Sequence, residues 1–235
     1  MFWQLLPTIS APMPFQMALD ELLFERLIRE PHQPVLRFYI ASDPWISAGY
    51  SFRRPDDLAR SSLVRENPGI PVCRRVTGGG CVLHGPDLIF ALVARYDPDN
   101  GPLSSVRTSY RKLHEGVKIA LRKFDLDPDF YTSQKTLLQG TDCFRFPVAS
   151  DLSWKGRKIA GGAQKRSRGV LLHQESIQIP NCAGREALSE AVLKGLESVL
   201  GITVRTADFD PELFFQAERK AALQSADLWK NSEVT

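Results

Sequence analysis

A three-glycine turn joins two apolar, strand-like runs in the segment Arg74-Arg75-Val76-Thr77-Gly78-Gly79-Gly80-Cys81-Val82-Leu83-His84. Three consecutive glycines remove every side chain from the turn, so its backbone can adopt positive φ angles and approach a ligand closely. Because this freedom costs chain entropy, the turn is expected to serve packing or binding. A tight hairpin explains the glycines as well as a binding turn does. P-loop and dinucleotide-binding motifs are excluded, because a strand-like run rather than a helix follows the glycines.

Two cations accompany glycine-rich segments. Arg75, beside the turn, either lies on the surface or holds a phosphate or carboxylate through both ends of its guanidinium group. Lys158 stands in the second segment, Asp151-Leu152-Ser153-Trp154-Lys155-Gly156-Arg157-Lys158-Ile159-Ala160-Gly161-Gly162-Ala163-Gln164. A lysine in such a strand is either a solvent-facing edge residue or a cation aimed into a pocket. A wall without side chains suits an extended ligand and favours the pocket; it is formed by Gly161, Gly162 and Ala163.

Cys143 is the candidate nucleophile, in the loop Thr141-Asp142-Cys143-Phe144-Arg145-Phe146-Pro147. A lone cysteine is usually a small buried hydrophobe. This one is flanked by Asp142 and Arg145 in a loop, so it need not be buried. A nearby Lys158 would favour the thiolate, which is the nucleophilic form. The other three cysteines are predicted to be structural: Cys73, Cys81 and Cys182.

The four histidines give no clear catalytic pattern. His84 is a candidate base and equally a hydrogen-bonded framework residue, and His173 has the same two interpretations. His32 and His114 are predicted to be surface residues. No set of His, Cys and Glu has metal-ligand spacing, so no metal site is predicted.

The composition is typical of a globular protein, with 235 residues, 43% hydrophobic and 24% charged, and a net charge of +3. This small charge argues against nucleic-acid binding, although the basic cluster from Lys155 to Arg168 could meet an acidic protein partner. No apolar stretch reaches the ~20 residues that span a bilayer. The first residues lack a secretory signal, so we expect a cytoplasmic protein with free thiols and no membrane association.

Hydrophobic periodicity predicts an α+β fold with helices packed on a mainly antiparallel or mixed sheet. Helices are predicted at residues 15–30, 55–65, 104–124, 186–200 and 211–230. Strands are predicted at residues 34–40, 44–48, 70–76, 82–83, 88–95 and 170–179, with a hairpin at 151–159. The segment 125–146 has no strong period and is predicted as loop with short strands. We find no repeat or linker.

These motifs, in this order, resemble the lipoate/biotin protein ligase and octanoyltransferase family. The segment from Arg74 to His84 is similar to the family's Arg-Arg-x-[Ser/Thr]-Gly-Gly-[Gly/Arg]-x-[Val/Ile]-x-His signature. Asp151-Leu152 with the run from Gly156 to Gln164 is similar to its Asp-Leu…Gly-[Arg/Lys]-Lys-[Ile/Val]-[Ala/Ser]-Gly-[Ser/Gly]-Ala motif. Weaker matches are Leu172-His173-Gln174-Glu175-Ser176-Ile177, where the family tends to show His-x-Gly-[Ser/Thr], and Gln16-Met17-Ala18-Leu19-Asp20-Glu21 in the first helix.

The resemblance implies a central mixed β-sheet, a smaller sheet and surrounding helices, as in class II biotin/lipoate ligases. It implies one catalytic domain over residues 1–235 without a separate accessory domain. An acyl pocket would lie beside the glycine turn, with Lys158 at the carbonyl end of the acyl group. The implied substrate-binding residues are Arg75, Gly78, Gly79, Gly80, His84, Asp151, Gly161, Gly162 and Ala163.

The family contains two chemistries that join an octanoyl or lipoyl chain to the lysine of a lipoyl domain. Transferases take octanoate from acyl carrier protein through a cysteine acyl-enzyme, whereas ligases use ATP to form an acyl-adenylate. Cys143-Phe144-x-x-Pro147 resembles the cysteine loop of one octanoyltransferase branch, and Ser150-Asp151 replaces the Asn-Asp of many ligases. We therefore expect an octanoyltransferase with catalytic Cys143 and Lys158.

The expected donor is acyl carrier protein, and the expected acceptors are lipoyl-domain proteins such as the glycine cleavage H protein or 2-oxoacid dehydrogenase E2. No tightly bound cofactor is expected. One alternative is an ATP-dependent lipoate ligase, which would need ATP and Mg and would use Arg75 and Lys158 to hold the adenylate. The other alternative is a non-catalytic acyl-binding relative.

Overall fold

A computed structural model describes residues 2–132, 140–179 and 184–227 of the chain. The strands are β1 Phe2–Ala11, β2 Val35–Ala41, β3 Trp45–Ala48, β4 Val72–Arg74, β5 Cys81–His84, β6 Leu88–Arg95, β7 Asp129–Phe130, β8 Leu152–Trp154, β9 Arg157–Ser167, β10 Val170–Ile177 and β11 Thr203–Thr206. The helices are α1 Met13–Arg29, α2 Pro55–Ala59, α3 Ser62–Glu66, α4 Val106–Arg122, α5 Arg185–Leu200 and α6 Pro211–Asp227.

Two sheets organise the fold. Eight strands form a mixed sheet in the order β11-β1-β2-β6-β10-β9-β8-β7, and three strands form a smaller sheet in the order β4-β3-β5. In the large sheet β1 is parallel to β2 and β11, and the other pairs are antiparallel. The prediction of an α+β fold with a central mixed sheet and a smaller sheet is confirmed.

The large sheet separates two hydrophobic layers. Helices α4 and α5 cover one face and helices α1 and α6 the other. Strands β6 and β10 lie in the middle and are buried along their length; β6 is an apolar run, whereas β10 begins apolar and then carries four buried polar residues, His173 to Ser176. Helices α4 and α5 approach closely, since a Cβ at Gly195 would lie 2.2 Å from the Gly116 carbonyl oxygen.

Local sequence signals set several element boundaries. The Ser105 hydroxyl accepts a hydrogen bond from the Thr108 amide and caps α4, and α5 ends at Gly201 in the left-handed conformation. The predicted hairpin at 151–159 is present as β8 and β9. Its turn uses Lys155 at φ 50° and Gly156 at φ 76°, two consecutive positive φ angles that match the twist of a hairpin.

Several predicted elements need correction. The helix predicted at 55–65 is two short helices, α2 and α3, because Ser61 starts a new helix by accepting from the Val64 amide. Strand β1 and the edge strand β11 beside it were not predicted. Val106, at the start of α4, is exposed, and the buried residues of this helix begin at Ser109. Three parts of the predictions lie outside the described residues: Cys182, residues 133–139 of the predicted loop and residues 228–230 of the last predicted helix.

A buried ion pair fastens α1 to the large sheet. The Arg37 Nε donates to Asp20 at 2.7 Å, and both side chains are fully buried. The side-chain amide of Gln174, on β10, also donates to Asp20 through its Nε2 at 2.6 Å and accepts from the Thr77 hydroxyl through its Oε1 at 2.7 Å. This chain of contacts holds the glycine turn against the large sheet. Over the described part of the chain, no helix is long and apolar enough to cross a membrane.

Candidate active site

The glycine turn connects two strands that do not pair with each other, so the hairpin interpretation is wrong. Strand β3 lies between β4 and β5, and the turn passes over its end. The Arg75 amide donates to the Ala48 carbonyl at 2.9 Å, and the Tyr50 amide donates to the Thr77 carbonyl at 2.9 Å. The turn is therefore a crossover anchored on the end of β3.

The glycines of the turn allow neighbouring backbones to approach closely. A Cβ at Gly80 would lie 1.8 Å from the Thr141 carbonyl oxygen, and a Cβ at Gly49 would lie 2.0 Å from the Gly79 carbonyl oxygen. Gly79 has a φ of 88°, and a Cβ there would lie 3.3 Å from the Cys143 Sγ. The absent side chains thus make room for the loop that carries Cys143.

Arg75 is buried, which excludes the surface interpretation. Its guanidinium group donates to the carbonyl oxygens of Ser47, Gly78 and Gly80 at 2.8–2.9 Å. Arginine suits this role because its planar fork offers several donors in a fixed geometry. Arg75 therefore shapes the turn from within.

Cys143 lies directly against the turn and is partly exposed. Its Sγ accepts a hydrogen bond from the Gly80 amide at 3.0 Å and lies 4.0 Å from the Arg75 Nη2. The Cys143 amide donates to the Cys81 carbonyl at 3.0 Å, which extends β5 by one bridge to the loop. An amide donor and a guanidinium group therefore fix the position of the sulfur beside the turn. From the sequence we expected Lys158 near the sulfur; in the structure the contacts to the sulfur come from Gly80 and Arg75.

Asp142 fixes the loop that carries Cys143. Its buried carboxylate accepts hydrogen bonds from the Ser61 and Ser62 hydroxyls and from the Leu63 amide, at the start of α3. Burial alone would raise the pKa of Asp142, but these hydrogen bonds outweigh it and lower the pKa. Arg145 adds an ion pair to Glu66 on the same helix.

Lys158 points into the protein, so the interpretation as a solvent-facing edge residue is wrong. Its Nζ lies 2.7 Å from the Asp151 Oδ2, and its side chain is 5% exposed. Asp151 is fully buried and also accepts from the Tyr110 hydroxyl and from the Val148 amide. The Tyr110 oxygen in turn accepts from the Gly162 amide at 3.1 Å. Burial and the nearby Asp151 charge raise the pKa of Tyr110 well above its ordinary value.

Gly161 and Gly162 make room for side chains of the protein itself. A Cβ at Gly161 would lie 2.3 Å from the Lys158 Nζ. A Cβ at Gly162 would lie 2.4 Å from Glu175 Oε2. Because Gly161 and Gly162 have no side chains, the Lys158 ammonium and the Glu175 carboxylate can lie close to the backbone of β9.

Glu175 joins two buried histidines, and the prediction that His114 is a surface residue is wrong. The two Glu175 oxygens lie 2.8 Å from His114 Nε2 and 2.9 Å from His173 Nε2, and all three side chains are fully buried. Burial would raise the pKa of Glu175, but the charges and N–H groups of His114 and His173 outweigh it and lower the pKa to about 2. Burial lowers the pKa of His173.

Replacing Glu175 by glutamine is expected to lower the free energy of unfolding by roughly 3 kcal/mol near neutral pH, because the two histidines lose a buried charged partner. The folded pKa of Glu175 lies below its ordinary value of 4.5. The stabilisation is therefore fully present above that value and is lost as pH falls toward about 2. Urea unfolding at neutral and acidic pH measures this difference. The exposed Glu190→Gln is the control. An equal difference at both pH values would contradict the assignment.

His84 is held on both sides. Its Nδ1 lies 2.7 Å from Asp87 Oδ2, and its Nε2 lies 2.8 Å from the Ser47 hydroxyl oxygen. The Ser47 hydroxyl also accepts from Arg75 at 3.0 Å. The sequence left two interpretations for His84, a base or a hydrogen-bonded framework residue. Its two ring contacts correspond to the framework residue.

A small cavity brings most of the predicted site residues together. Its walls include Cys143 and Lys158, and the Lys158 Nζ lies 5.0 Å from the centre of the Phe144 ring. The other predicted residues on its wall are Arg75, His84, Gly161, Gly162 and Ala163. Gly79 and Gly80 line an adjoining cavity that also contains Cys143. Asp151 contacts Lys158. Apolar side chains close the small cavity, namely Met17, Val82, Ile89 and Phe144.

The sequence analysis did not single out three residues that organise this site. Tyr110 resembles one more apolar residue of the α4 stripe, and its hydroxyl gives no separate signal. Ser47 joins Arg75 to His84 from a short strand that has no motif. Asp142 stands out in the sequence only as a neighbour of Cys143. Its partner Ser62 lies 80 residues away, so no local pattern connects the two. Among the described residues, no cluster of His, Cys, Asp and Glu could hold a metal ion.

Replacing Gly80 by alanine is expected to slow any reaction of the Cys143 thiol about 100-fold, because the new Cβ displaces the backbone that holds the sulfur. The Cβ would lie 1.8 Å from the Thr141 oxygen. Gly78→Ala is the matched variant in the same turn, since a Cβ there has no atom within 4 Å and should cost much less. Thiol alkylation rates and activity measure the effect. Equal losses for both variants would contradict this role.

Comparison with protein families places residues 12–206 in the lipoyl protein ligase A/B catalytic domain. An octanoyltransferase LipM of Exiguobacterium sp. is 34% identical over 186 residues, which is 75% of this chain and 66%, just under two thirds, of that relative's own length. The octanoyltransferase LipM of Exiguobacterium sibiricum is 28% identical over 271 residues and covers 97% of both chains.

Solved structures have the same fold. A lipoate protein ligase of Thermoplasma acidophilum with bound lipoic acid matches with a TM-score of 0.75 and 21% identity, over 96% of this chain and 97% of that one. A structure of the bipartite lipoate protein ligase and E2 lipoyl domain of the same organism matches with a TM-score of 0.71 and 22% identity, over 96% and 94%. At this level of identity the likeness concerns the fold.

Proposed function

Because the chain belongs to the lipoyl protein ligase A/B catalytic domain family of enzymes, we propose that it is an octanoyltransferase of protein lipoylation. In this proposal Cys143 takes the octanoyl group from acyl carrier protein and passes it to the lysine of a lipoyl domain. The observation that carries it is the Cys143 sulfur, held 3.0 Å from the Gly80 amide beside a cavity that also contains Lys158. We place the reaction in the reducing cytoplasm, where a free thiol persists.

The first step transfers the acyl group to the enzyme. The Cys143 thiolate attacks the thioester carbonyl carbon, the bond from that carbon to the carrier sulfur breaks, and the carrier leaves as a thiol with the proton that Cys143 gave up. The Gly80 amide and Arg75 contact the sulfur and hold it in position for the attack. One of the three Lys158 donors is directed to Asp151, which leaves donors for the oxygen that becomes negative in the transition state.

The second step forms the product. The lysine ammonium of the lipoyl domain first loses one proton to solvent; the neutral amine then attacks the acyl carbon, a nitrogen–carbon bond forms, and the bond to the Cys143 sulfur breaks. The amine proton returns to the sulfur, so the enzyme is regenerated without ATP, Mg or a tightly bound cofactor. A related structure of T. acidophilum contains an E2 lipoyl domain, which supports the lipoyl domains of E2 proteins as acceptors. The glycine cleavage H protein is a second acceptor in this proposal.

Donor dependence tests this function. Purified protein and a lipoyl domain are incubated with octanoyl-acyl carrier protein in the absence of ATP, and in parallel with free octanoate or lipoate, ATP and Mg. The proposal predicts modified lipoyl domain in the first mixture alone. Modification that depends strictly on ATP and a free acid would instead identify a ligase, and acyl binding without any modification would identify a non-catalytic relative.

A further inference from the structure

The reaction centre adjoins two larger cavities, one at each end of the pair Cys143 and Phe144. The first, which we name the cysteine mouth, contains Cys143 and is lined by Ser51, Phe52, Asp57, Arg60 and Phe146. The second, which we name the lysine mouth, contains Phe144 and Lys158 and is lined by Tyr131, Trp154, Lys155, Arg157 and Ile159. The inner cavity with both Cys143 and Lys158 lies between them.

The two mouths differ in charge. Four cations line the lysine mouth, and no carboxylate is found there among the residues that the structure describes. Lys158 and Arg145 are paired with Asp151 and Glu66. The remaining two are Lys155 and Arg157, on the exposed turn between β8 and β9.

Lys155 and Arg157 present their charge outward. Within the described ranges neither makes an ion pair. The Lys155 Nζ lies 4.2 Å from the centre of the Trp154 ring, so the aromatic wall and the cation form one surface. The cysteine mouth, in contrast, has one carboxylate, Asp57, which accepts from the backbone amides of Arg53 and Arg54, and one cation, Arg60, so the two charges balance.

We propose that the lysine mouth docks the acyl carrier protein and that the cysteine mouth admits the acceptor lysine. This inference rests on the proposed octanoyltransferase function. A carrier protein has an acidic surface and holds its acyl group on a long arm attached through a phosphodiester, and both features match exposed cations at the entrance. The apolar part of the arm matches the walls formed by Tyr131, Trp154 and Ile159.

The acceptor fits the other mouth by the same reasoning. A lysine side chain approaches as an ammonium ion, which Lys155 and Arg157 would repel. The cysteine mouth has no excess of cations, since Asp57 offsets Arg60, and Cys143 itself lies on its wall, so a lysine side chain that enters there can reach the acyl carbon. Donor and acceptor would therefore approach the same sulfur from different sides.

The double charge reversal Lys155→Glu/Arg157→Glu tests this assignment. The half-reactions are measured separately: acylation of Cys143 by octanoyl-acyl carrier protein, acylation by octanoyl-N-acetylcysteamine, and transfer from preloaded enzyme to a lipoyl domain. We expect the KM for the carrier protein to rise about 10-fold or more, because like charges now face each other at the entrance. The small thioester lacks the protein and the phosphodiester, so its rate should stay unchanged, as should transfer to the lipoyl domain.

A matched control is Lys194→Glu/Arg205→Glu, which makes the same change in charge on helix α5 and on β11, at the opposite edge of the large sheet. It should leave all three rates unchanged. In the unsubstituted protein, the KM for the carrier protein should rise with ionic strength, and the variant should lose most of this dependence.

An unchanged KM for the carrier protein would overturn the docking assignment. So would a loss that falls on transfer to the lipoyl domain, since the lysine mouth would then serve the acceptor. These results leave the octanoyltransferase function intact if the small thioester still acylates Cys143. Failure of both thioesters to acylate the unsubstituted protein would overturn the function and the docking assignment together.

Discussion

Replacing Cys143 by alanine is expected to reduce octanoyl transfer roughly 10⁴-fold or more, because removal of a covalent nucleophile leaves only the binding contribution to catalysis. The sulfur is the atom that the Gly80 amide and Arg75 contact in the site. Transfer from octanoyl-acyl carrier protein to a lipoyl domain, followed by mass spectrometry of the lipoyl domain, measures the loss. Thermal unfolding should change little, since the side chain is partly exposed.

Cys73→Ala is the control for thiol chemistry in general. Burial raises the pKa of Cys73 to about 12, so this thiol stays protonated and unreactive. The variant should keep its transfer activity within a few-fold of the unsubstituted protein. If Cys143→Ala kept full activity, the acyl-enzyme would be excluded, and labelling with free lipoate and ATP would decide for a ligase.

Replacing Lys158 by methionine is expected to reduce the rate of Cys143 acylation roughly 10³-fold, the loss typical of a deleted oxyanion donor. Methionine keeps an unbranched stem, so packing beside Phe144 is largely preserved. The ammonium group is lost from the cavity that holds Cys143. Because the interaction strengthens in the transition state, the loss should fall mainly on kcat.

Lys165→Ala, on the same strand, removes an equal charge outside the inner cavity and should keep activity. Single-turnover acylation by octanoyl-N-acetylcysteamine separates chemistry from carrier-protein docking. Lys158→Met should be slow with this small donor as well. A loss confined to the carrier protein would contradict the assignment to chemistry and would make Lys158 a docking residue.

The sequence predicted much of the fold because long elements carry a clear hydrophobic pattern. Helix α4 has a helical period, and strand β6 is an apolar run. Strand β1 was missed because its pattern is broken: Pro7 lies inside it, and the register to β2 shifts between Leu6 and Ile9. Strand β11 pairs with β1 at the edge of the sheet, so it could not be inferred without β1.

The sequence indicated which residues lie near one another better than it indicated their contacts. Motif resemblance is enough to assign Cys143, Lys158 and the glycines to one site. The motif does not indicate that Arg75 donates hydrogen bonds to the carbonyl oxygens of the turn, because a guanidinium group beside glycines could equally bind a ligand. His114 was predicted to be exposed because its partner, Glu175, lies 61 residues away. Such polar pairs arise from tertiary packing, which local periodicity does not contain.

Intact mass of the protein after exposure to octanoyl-acyl carrier protein, without ATP and without a lipoyl domain, is the direct test of the cysteine acyl-enzyme. We expect one added octanoyl group, located on Cys143 by peptide mapping and absent from Cys143→Ala. Addition of a lipoyl domain should remove the group from the enzyme and place it on the acceptor lysine. An unmodified enzyme that still transfers octanoate to the lipoyl domain would contradict the acyl-enzyme.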